Sequence, residues 1–235
     1  VPFCFVRGNH ENRGAFSYRA SDYFPTPTGR FYYTFRHGPA FFVVLDCGED
    51  KPDNDIEYSG LADFDRYRET EADWLKGVVA SEEFRQAPLR IVLLHIPPLH
   101  YDWHGGREIQ RLFMPLLQGA GVDLMLCGHL HKAFYTAAGE DKYDFPVLIN
   151  SNRECVRVTV EGRKIEAEIR DAAGKIVARH TVRGGREGPS GAEPAQDSPL
   201  PHIRGASGAV IRFARNRGCR GTVRRTPSGS CRSAP

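Results

Sequence analysis

Three short motifs carry the side chains that are most able to do chemistry in this chain. They read Gly8-Asn9-His10-Glu11, His95-Ile96-Pro97-Pro98 and Gly128-His129-Leu130-His131. Each follows a short apolar run that is typical of a buried strand, at residues 3–6, 91–94 and 122–127. Polar residues at the carboxyl ends of parallel strands enter the crevice where α/β folds bind ligands. We therefore expect an amide, several imidazoles and a carboxylate to converge on one place.

Each motif also has a purely structural interpretation when it is taken alone. A single histidine such as His95 is more often a hydrogen-bonded core residue than a ligand, and Gly-His-Leu-His could be an ordinary turn. The order of the motifs and their common placement at strand ends favour a metal site. Imidazole binds zinc, iron and manganese, and a neutral amide oxygen adds a hard ligand without adding charge.

Taken in order, the three motifs resemble the third, fourth and fifth blocks of the calcineurin-like metallophosphoesterase superfamily. The resemblance implies two divalent or trivalent metal ions as cofactors. Asn9, His95 and His129 would hold one ion, and His131 would hold the other. Zinc, iron and manganese all suit such ligands, so the sequence leaves the identity of the metals open.

The same resemblance assigns residues beside the metals. His10, oriented by Glu11, would stand next to the leaving group as an acid or a charge stabiliser. Arg13 could pair with phosphate through its planar guanidinium, or it could form a surface salt bridge. His100 and His104 lie on the loop after the second motif, where they could contact the substrate or form only the rim of its pocket.

The activity that follows is hydrolysis of a phosphate mono- or diester by attack of a metal-bound hydroxide. The Tyr-Tyr-Thr-Phe and Val-Val-Leu-Asp segments and a Trp-Leu helix resemble the purple acid phosphatase and cyclic-nucleotide phosphodiesterase branch. Arg7-Gly8-Asn9-His10-Glu11 also echoes the Ser/Thr protein phosphatases. Two alternatives remain: a catalytically dead scaffold or binding protein of the same fold, and a nucleic-acid binder that uses the basic tail.

The chain departs from the superfamily at its beginning. The first two blocks, Asp-x-His and Gly-Asp-x-x-Asp, should precede Gly8 by tens of residues, and only seven residues do so. Those blocks normally supply an Asp and a His to one ion and the Asp that bridges both ions. We therefore expect an amino-terminally incomplete site and little activity from this chain. Its cellular location and oligomeric state stay open, since neither a start nor a signal segment is visible.

Composition divides the chain near residue 184. The 235 residues are 40% hydrophobic with a formal net charge of +3, and no run approaches the ~18 apolar residues of a membrane span. Residues 184–235 are rich in Gly, Pro, Ser and Arg, with nine arginines against three acidic residues. We expect this tail to be disordered because it can bury little apolar surface. It lacks aromatic residues at a stacking spacing, so we do not expect nucleic-acid binding.

Residues 1–183 are predicted to form one α/β catalytic domain. The predicted strands lie at 31–35, 41–45, 147–149, 155–160, 165–169 and 176–178, and the predicted helices lie at 67–80 and 108–117. This order agrees with a two-sheet sandwich flanked by helices, the fold that the resemblance implies. The acidic stretch from Asp46 to Asp55 lacks the spacing of an EF-hand, and we predict a solvated loop there. The six cysteines show no CxxC spacing, so they support no zinc ribbon.

Overall fold

A six-stranded sheet forms the centre of the domain, in the order β1-β2-β3-β4-β6-β5. The computed structural model describes residues 3–184 and the backbone of residues 209–212. The strands are β1 (Tyr33–His37), β2 (Ala40–Val44), β3 (Leu89–Leu93), β4 (Leu124–Cys127), β5 (Phe134–Thr136) and β6 (Val147–Ile149). β2, β3, β4 and β6 run parallel, while β1 and β5 pair antiparallel at the two edges. The carboxyl ends of the four parallel strands therefore share one edge of the sheet.

A second sheet of four antiparallel strands packs against the first. Its strands are β7 (Cys155–Glu161), β8 (Lys164–Arg170), β9 (Ile176–Arg183) and β10 (Ala209–Arg212), in the order β10-β7-β8-β9. Burial alternates along β7, where Val156, Val158 and Val160 are buried and their neighbours are more exposed. These valines share one apolar core with Phe42 and Leu126 of the first sheet. A half-buried antiparallel sheet has this alternation because successive side chains point to opposite faces.

Helices form a second core with the first sheet. They are α1 (Ala20–Tyr23), α2 (Phe64–Ala80), α3 (Glu82–Gln86), α4 (His104–Leu112) and α5 (Met114–Leu117), with short 3-10 helices at Asn9–Asn12, Ser17–Arg19 and Ile56–Tyr58. Leu75 of α2 and Ile109 of α4 are fully buried in a core with Val92 of β3. Two layers of core on a shared central sheet confirm the predicted two-sheet sandwich with flanking helices.

Local signals explain where the longer helices begin and end. The carboxylate of Asp53 accepts the N–H groups of Phe64 and Asp65 at 2.8 Å and 3.0 Å, which satisfies two free amides at the start of α2. The helix predicted at 108–117 is two helices, because α4 ends at Leu112 and α5 has Pro115 in its first turn. Proline has no N–H to continue the hydrogen bonding of the preceding helix.

The prediction of a strand at residues 3–6 is wrong, because this run is irregular. The hydroxyl of Tyr33 donates to the carbonyl of Phe5 at 2.9 Å, and the Phe5 ring stacks on Phe24 with centroids 4.0 Å apart. Side chains therefore anchor the segment against the edge of β1. A short apolar run cannot by itself distinguish a strand from another buried segment.

The predicted tail lies outside the described residues except for Gly184 and β10. β10 pairs antiparallel with β7, from Ala209 opposite Val160 to Arg212 opposite Arg157. These four residues are an exception to the expected disorder, since the free edge of β7 offers unpaired backbone groups to a further strand. In the described part of the chain, none of the helices is long and apolar enough to cross a membrane.

Candidate metal centre

Two of the predicted ligands meet at the carboxyl ends of neighbouring parallel strands. His95 follows β3 and His129 follows β4, and the N–H of Gly128 donates to the carbonyl of His95 at 3.0 Å. Nδ1 of His129 lies 3.4 Å from Nε2 of His95, and the two rings are nearly perpendicular at 83°. The parallel pairing of β3 with β4 thus brings together two imidazoles that are 34 residues apart in sequence.

Gly8 makes room for the carboxylate of Glu11 and the ring of His95. A side chain at Gly8 would place its first carbon 2.6 Å from Oε2 of Glu11 and 3.2 Å from the His95 ring. A side chain at Gly128 would make only an ordinary contact with Nδ1 of His95, at 3.4 Å. The glycine that opens the first motif therefore permits the close approach of backbone to imidazole.

The histidine loops have an uncommon backbone conformation. His100, His129 and His131 have φ values of 59°, 70° and 59°, which lie in the left-handed region. A non-glycine residue there costs of order 1–3 kcal/mol and persists where the surrounding structure holds it, often at functional sites. In the third motif the N–H of Leu130 donates to the carbonyl of Gly128 at 2.8 Å. This tight turn sets the positions of His129 and His131.

Asn9 brings a buried amide to the same place. It begins the first 3-10 helix and is 1% exposed. Its Nδ2 donates to Oδ2 of Asp50 at 3.3 Å, whereas its Oδ1 is buried and has no hydrogen-bond partner. Most buried polar atoms in proteins are paired, so this open oxygen is a candidate ligand for a cation.

The electrostatics keep the central imidazoles neutral. Burial lowers the pKa of His95 to about 3, and the neighbouring His129, His10 and His131 lower it further. Burial also lowers the pKa of His129, against the opposing effect of the Asp50 carboxylate. Neutral imidazole has the free lone pair that a metal ion requires. The other three motif histidines therefore lie close enough to His95 to affect its pKa.

The chemistry of these donors fits a metal ion, although the set is small. Within residues 3–184, no three His, Cys, Asp or Glu side chains converge closely enough to form a metal site by themselves. The amide of Asn9 is outside that count, and its open oxygen is a candidate third ligand with His95 and His129. Two imidazole nitrogens bound to one tetrahedral zinc ion at about 2.0–2.1 Å would lie about 3.3–3.4 Å apart. The 3.4 Å between His95 and His129 agrees with such a pair.

The predicted catalytic pair lies at the turn that carries Asn9. Oε2 of Glu11 accepts the N–H of Gly8 at 3.0 Å, and the N–H of Glu11 donates back to the carbonyl of Gly8 at 3.3 Å. These reciprocal bonds resemble a capping box and hold the turn in place. His10 is exposed, next to the ligands, where a substrate could reach it.

The three predicted substrate-binding residues have protein partners. Nε and Nη2 of Arg13 each donate to Glu49 at 2.8 Å, which is the salt bridge that the sequence left as the alternative. Nε2 of His100 lies 3.2 Å from Oγ1 of Thr136. Nε2 of His104 lies 2.7 Å from Oδ1 of Asp65, so it ties the start of α4 to α2. Their substrate roles remain predictions.

The prediction of a solvated acidic loop is wrong for its first part. Asp46, Glu49 and Asp50 are 0%, 2% and 8% exposed. Asp46 pairs with Arg7, which also lies over the ring of Phe31 at 4.4 Å, and Glu49 pairs with Arg13. These partners are 39 and 36 residues away in sequence, so no local pattern could reveal the pairing. The acidic loop instead anchors the first motif.

Two side chains of α2, Arg68 and Glu71, also hold the acidic loop. Arg68 is fully buried and donates to the carbonyl of Cys47 at 2.9 Å and to the carbonyl of Glu49. Oε1 of Glu71 accepts the N–H of Asp46 at 2.8 Å. Burial raises the pKa of Glu71 well above its ordinary range, and the nearby Asp46 carboxylate raises it further. Helix α2 therefore holds the loop that in turn holds Asn9.

The α/β sandwich places two imidazoles at the ends of neighbouring parallel strands, where such folds bind ligands, and these donors could hold a metal ion. Residues 1–133, more than half of the chain, match the sequence model of the calcineurin-like phosphoesterases. The chain therefore belongs to the calcineurin-like phosphoesterase family.

Two purple acid phosphatases are similar to this chain. Over 79 residues it is 35% identical to purple acid phosphatase 18 of Arabidopsis thaliana, an alignment that covers 32% of this chain and 18% of that protein. The structure of purple acid phosphatase PPD1 from yellow lupin (Lupinus luteus) seeds shares the fold, with a TM-score of 0.50 and 16% identity over 75% of this chain and 37% of that one. The chain thus spans less than half the length of each relative.

Proposed function

We propose that this chain is a metal-dependent phosphoesterase that acts on a phosphate mono- or diester. The observation that carries the proposal is the open Oδ1 of Asn9 beside two neutral imidazoles whose nitrogens lie 3.4 Å apart. Membership of the phosphoesterase family and the similarity to purple acid phosphatases support the reaction class. The proposed ligands are Asn9, His95 and His129 for one ion, with His131 serving a second.

Bound ions would supply positive charge to the phosphoryl oxygens and would activate water for attack. The residues of the chain have three further roles in this proposal. Buried, neutral His95 keeps its lone pair available at physiological pH. Exposed His10 can donate a proton to the leaving oxygen. Arg13 can reach phosphate only if its bidentate salt bridge with Glu49 breaks.

A scaffold of the same fold that binds a partner without catalysis is the second candidate. The observation in its favour is the small set of proposed ligands among the described residues, which is Asn9, His95 and His129 for one ion and His131 for the second. A dinuclear phosphoesterase needs ligands on both ions to orient its substrate and activate water. We therefore expect this 235-residue chain to hydrolyse esters slowly.

The test compares zinc and manganese binding with slow hydrolysis of 4-nitrophenyl phosphate and its bis ester. The wild-type chain should bind metal and show a low, metal-dependent rate, and His129→Ala should lose both together. His37→Ala is the matched control, because His37 lies at the β1–β2 hairpin, at the opposite end of the sheet. Metal binding without metal-dependent hydrolysis would favour the scaffold. Unchanged metal binding by His129→Ala would refute the site.

A further inference from the structure

The carboxylate of Asp50 accepts hydrogen bonds from three side chains, one of which is Asn9. Its Oδ2 accepts from Nδ2 of Asn9 at 3.3 Å, while its Oδ1 lies 3.4 Å from Nη2 of Arg13 and 3.4 Å from the hydroxyl of Tyr58. The side chain is 11% exposed. Separate partners thus use the two oxygens, and one oxygen is directed at the amide of Asn9.

This contact selects one of the two possible orientations of the Asn9 amide. A carboxylate oxygen accepts hydrogen bonds and does not donate them, so the NH2 group must face Asp50 and Oδ1 must face away. In that orientation Oδ1 is buried without a partner. Leaving such an acceptor unpaired is unfavourable, so the fold keeps this orientation at a cost in stability. A cation beside Oδ1 would offset that cost.

The loop that carries Asp50 is tied to two helices. The carbonyl of Asp50 accepts the N–H of Gly105 at 2.9 Å, at the start of α4. A side chain at Gly105 would lie 2.7 Å from the carbonyl of Glu49 and 3.0 Å from Cα of Asp50, so loop and helix are in close contact. Arg68 of α2 also donates to the carbonyl of Glu49. Asp50 is therefore held on a rigid support, as a positioning group must be.

We propose that Asp50 is a positioning residue that keeps the Asn9 amide turned so that Oδ1 faces the metal ion shared with His95 and His129. The inference rests on the proposed function, and it adds a role for a residue that no sequence motif includes. Asp50 acts through Asn9, because Asn9, Arg13 and Tyr58 already engage its oxygens. Loss of groups that orient a metal ligand weakens metal affinity by about 10–100-fold.

The test is a double-mutant cycle read by zinc affinity, measured by competition with a chromogenic chelator. Asp50→Ala and Asn9→Ala should each weaken zinc binding by about 10–100-fold. The double variant should be no weaker than Asn9→Ala alone, since a residue that acts through another adds nothing once that other is gone. Asp50→Asn should fall between wild type and Asp50→Ala, because its amide oxygen can still accept from Nδ2 of Asn9 whereas its NH2 group can stabilise the flipped amide.

Asp53→Ala is the matched control for a simple loss of stability. Asp53 lies in the same loop and caps α2, without a contact to Asn9. We expect it to lower the melting temperature and to leave zinc affinity unchanged. Additive losses in the double variant, or wild-type affinity in Asp50→Ala, would overturn the inference. A wild-type chain that binds no metal would instead refute the proposed function and this inference together.

Discussion

Two polar clusters lie at the ends of neighbouring strands, and they differ in whether they contain paired charges. The charged cluster, at the end of β2, consists of Arg7, Asp46, Tyr67, Arg68 and Glu71. Within it, Oδ2 of Asp46 is bonded by Arg7 and by the Tyr67 hydroxyl at 2.8 Å, and its Oδ1 accepts the N–H of Gly48 at 3.2 Å.

The imidazole cluster, at the ends of β3 and β4, consists of Asn9, His95 and His129. It carries no paired charges, and it leaves the Asn9 oxygen without a partner. Its two central nitrogens face each other at 3.4 Å. Each cluster leaves buried atoms without a partner, Nε of Arg7 and Oε2 of Glu71 in the first and Oδ1 of Asn9 in the second, but only the charged cluster is held together by ion pairs. The charged cluster therefore supports the site, and the imidazole cluster contains the candidate ligands.

The largest effect on stability is expected from breaking the charged cluster. Arg7→Ala would leave the fully buried Asp46 carboxylate without its cation, which should cost about 3–5 kcal/mol of unfolding free energy. Urea unfolding measures this loss. Arg19→Ala is the control, since its pair with Asp22 is exposed and should contribute about 0–1 kcal/mol. Similar losses in the two variants would show that the charged cluster does not anchor the domain.

The imidazole cluster should respond to metal. Zinc at about 100 times its dissociation constant should stabilise the wild-type chain by about 2.7 kcal/mol, because only the folded state has the site. His95→Ala should lose this increment, whereas the control His37→Ala should keep it. Thermal unfolding with and without zinc measures the difference. An equal zinc increment in His95→Ala would mean that the metal binds elsewhere.

Removal of residues 185–235 should affect both clusters little. β10 pairs with β7, at the edge of the second sheet, so its loss should cost about 1 kcal/mol in unpaired edge contacts. Zinc affinity should stay at the wild-type value. Urea unfolding and chelator competition on the shortened chain test this. A weaker zinc site would show that the carboxyl-terminal residues contribute to the metal centre.

The smallest effect is expected from Glu71→Gln, which keeps the volume of the side chain. Because burial raises the pKa of Glu71, the folded state holds a proton that the unfolded chain releases above the ordinary carboxyl range. The unfolding free energy of the wild-type chain should therefore fall as the pH rises from the ordinary carboxyl pKa to the raised pKa of folded Glu71. The uncharged variant should not show this fall. Urea unfolding at about pH 5 and about pH 8 measures the difference. An equal difference in unfolding free energy between the two proteins at both pH values would contradict a protonated Glu71.

Periodicity and spacing in the sequence predicted most of the fold. Strands β2, β3, β6, β7 and β8 and helix α2 lie close to their predicted positions because their apolar patterns reflect burial on one or both faces. The apolar run 3–6 shows where this reasoning ends, because a short apolar run can also be an irregular segment that side chains hold in place. Strand β5 and helix α3 are short, and their sequences carry no strong pattern.

The sequence predicts the candidate ligands because each belongs to a short motif, and two of the three motifs follow strands. The residues that support them were not readable. Asp46 and Asp50 belong to an acidic stretch whose local composition indicates exposure to solvent, and their partners Arg7, Arg13 and Asn9 lie 37 to 41 residues away. Burial and pairing of such groups depend on which loops meet.

By itself, the sequence determined the order of the elements, the family motifs and the donors that could hold a metal. Only the tertiary structure decided that His95 and His129 face each other, that Asp50 turns the amide of Asn9, and that Glu49 engages Arg13. The physical reason is that apolar periodicity is a local property of the chain. Hydrogen bonds and ion pairs depend on distances that exist only after distant segments have packed together.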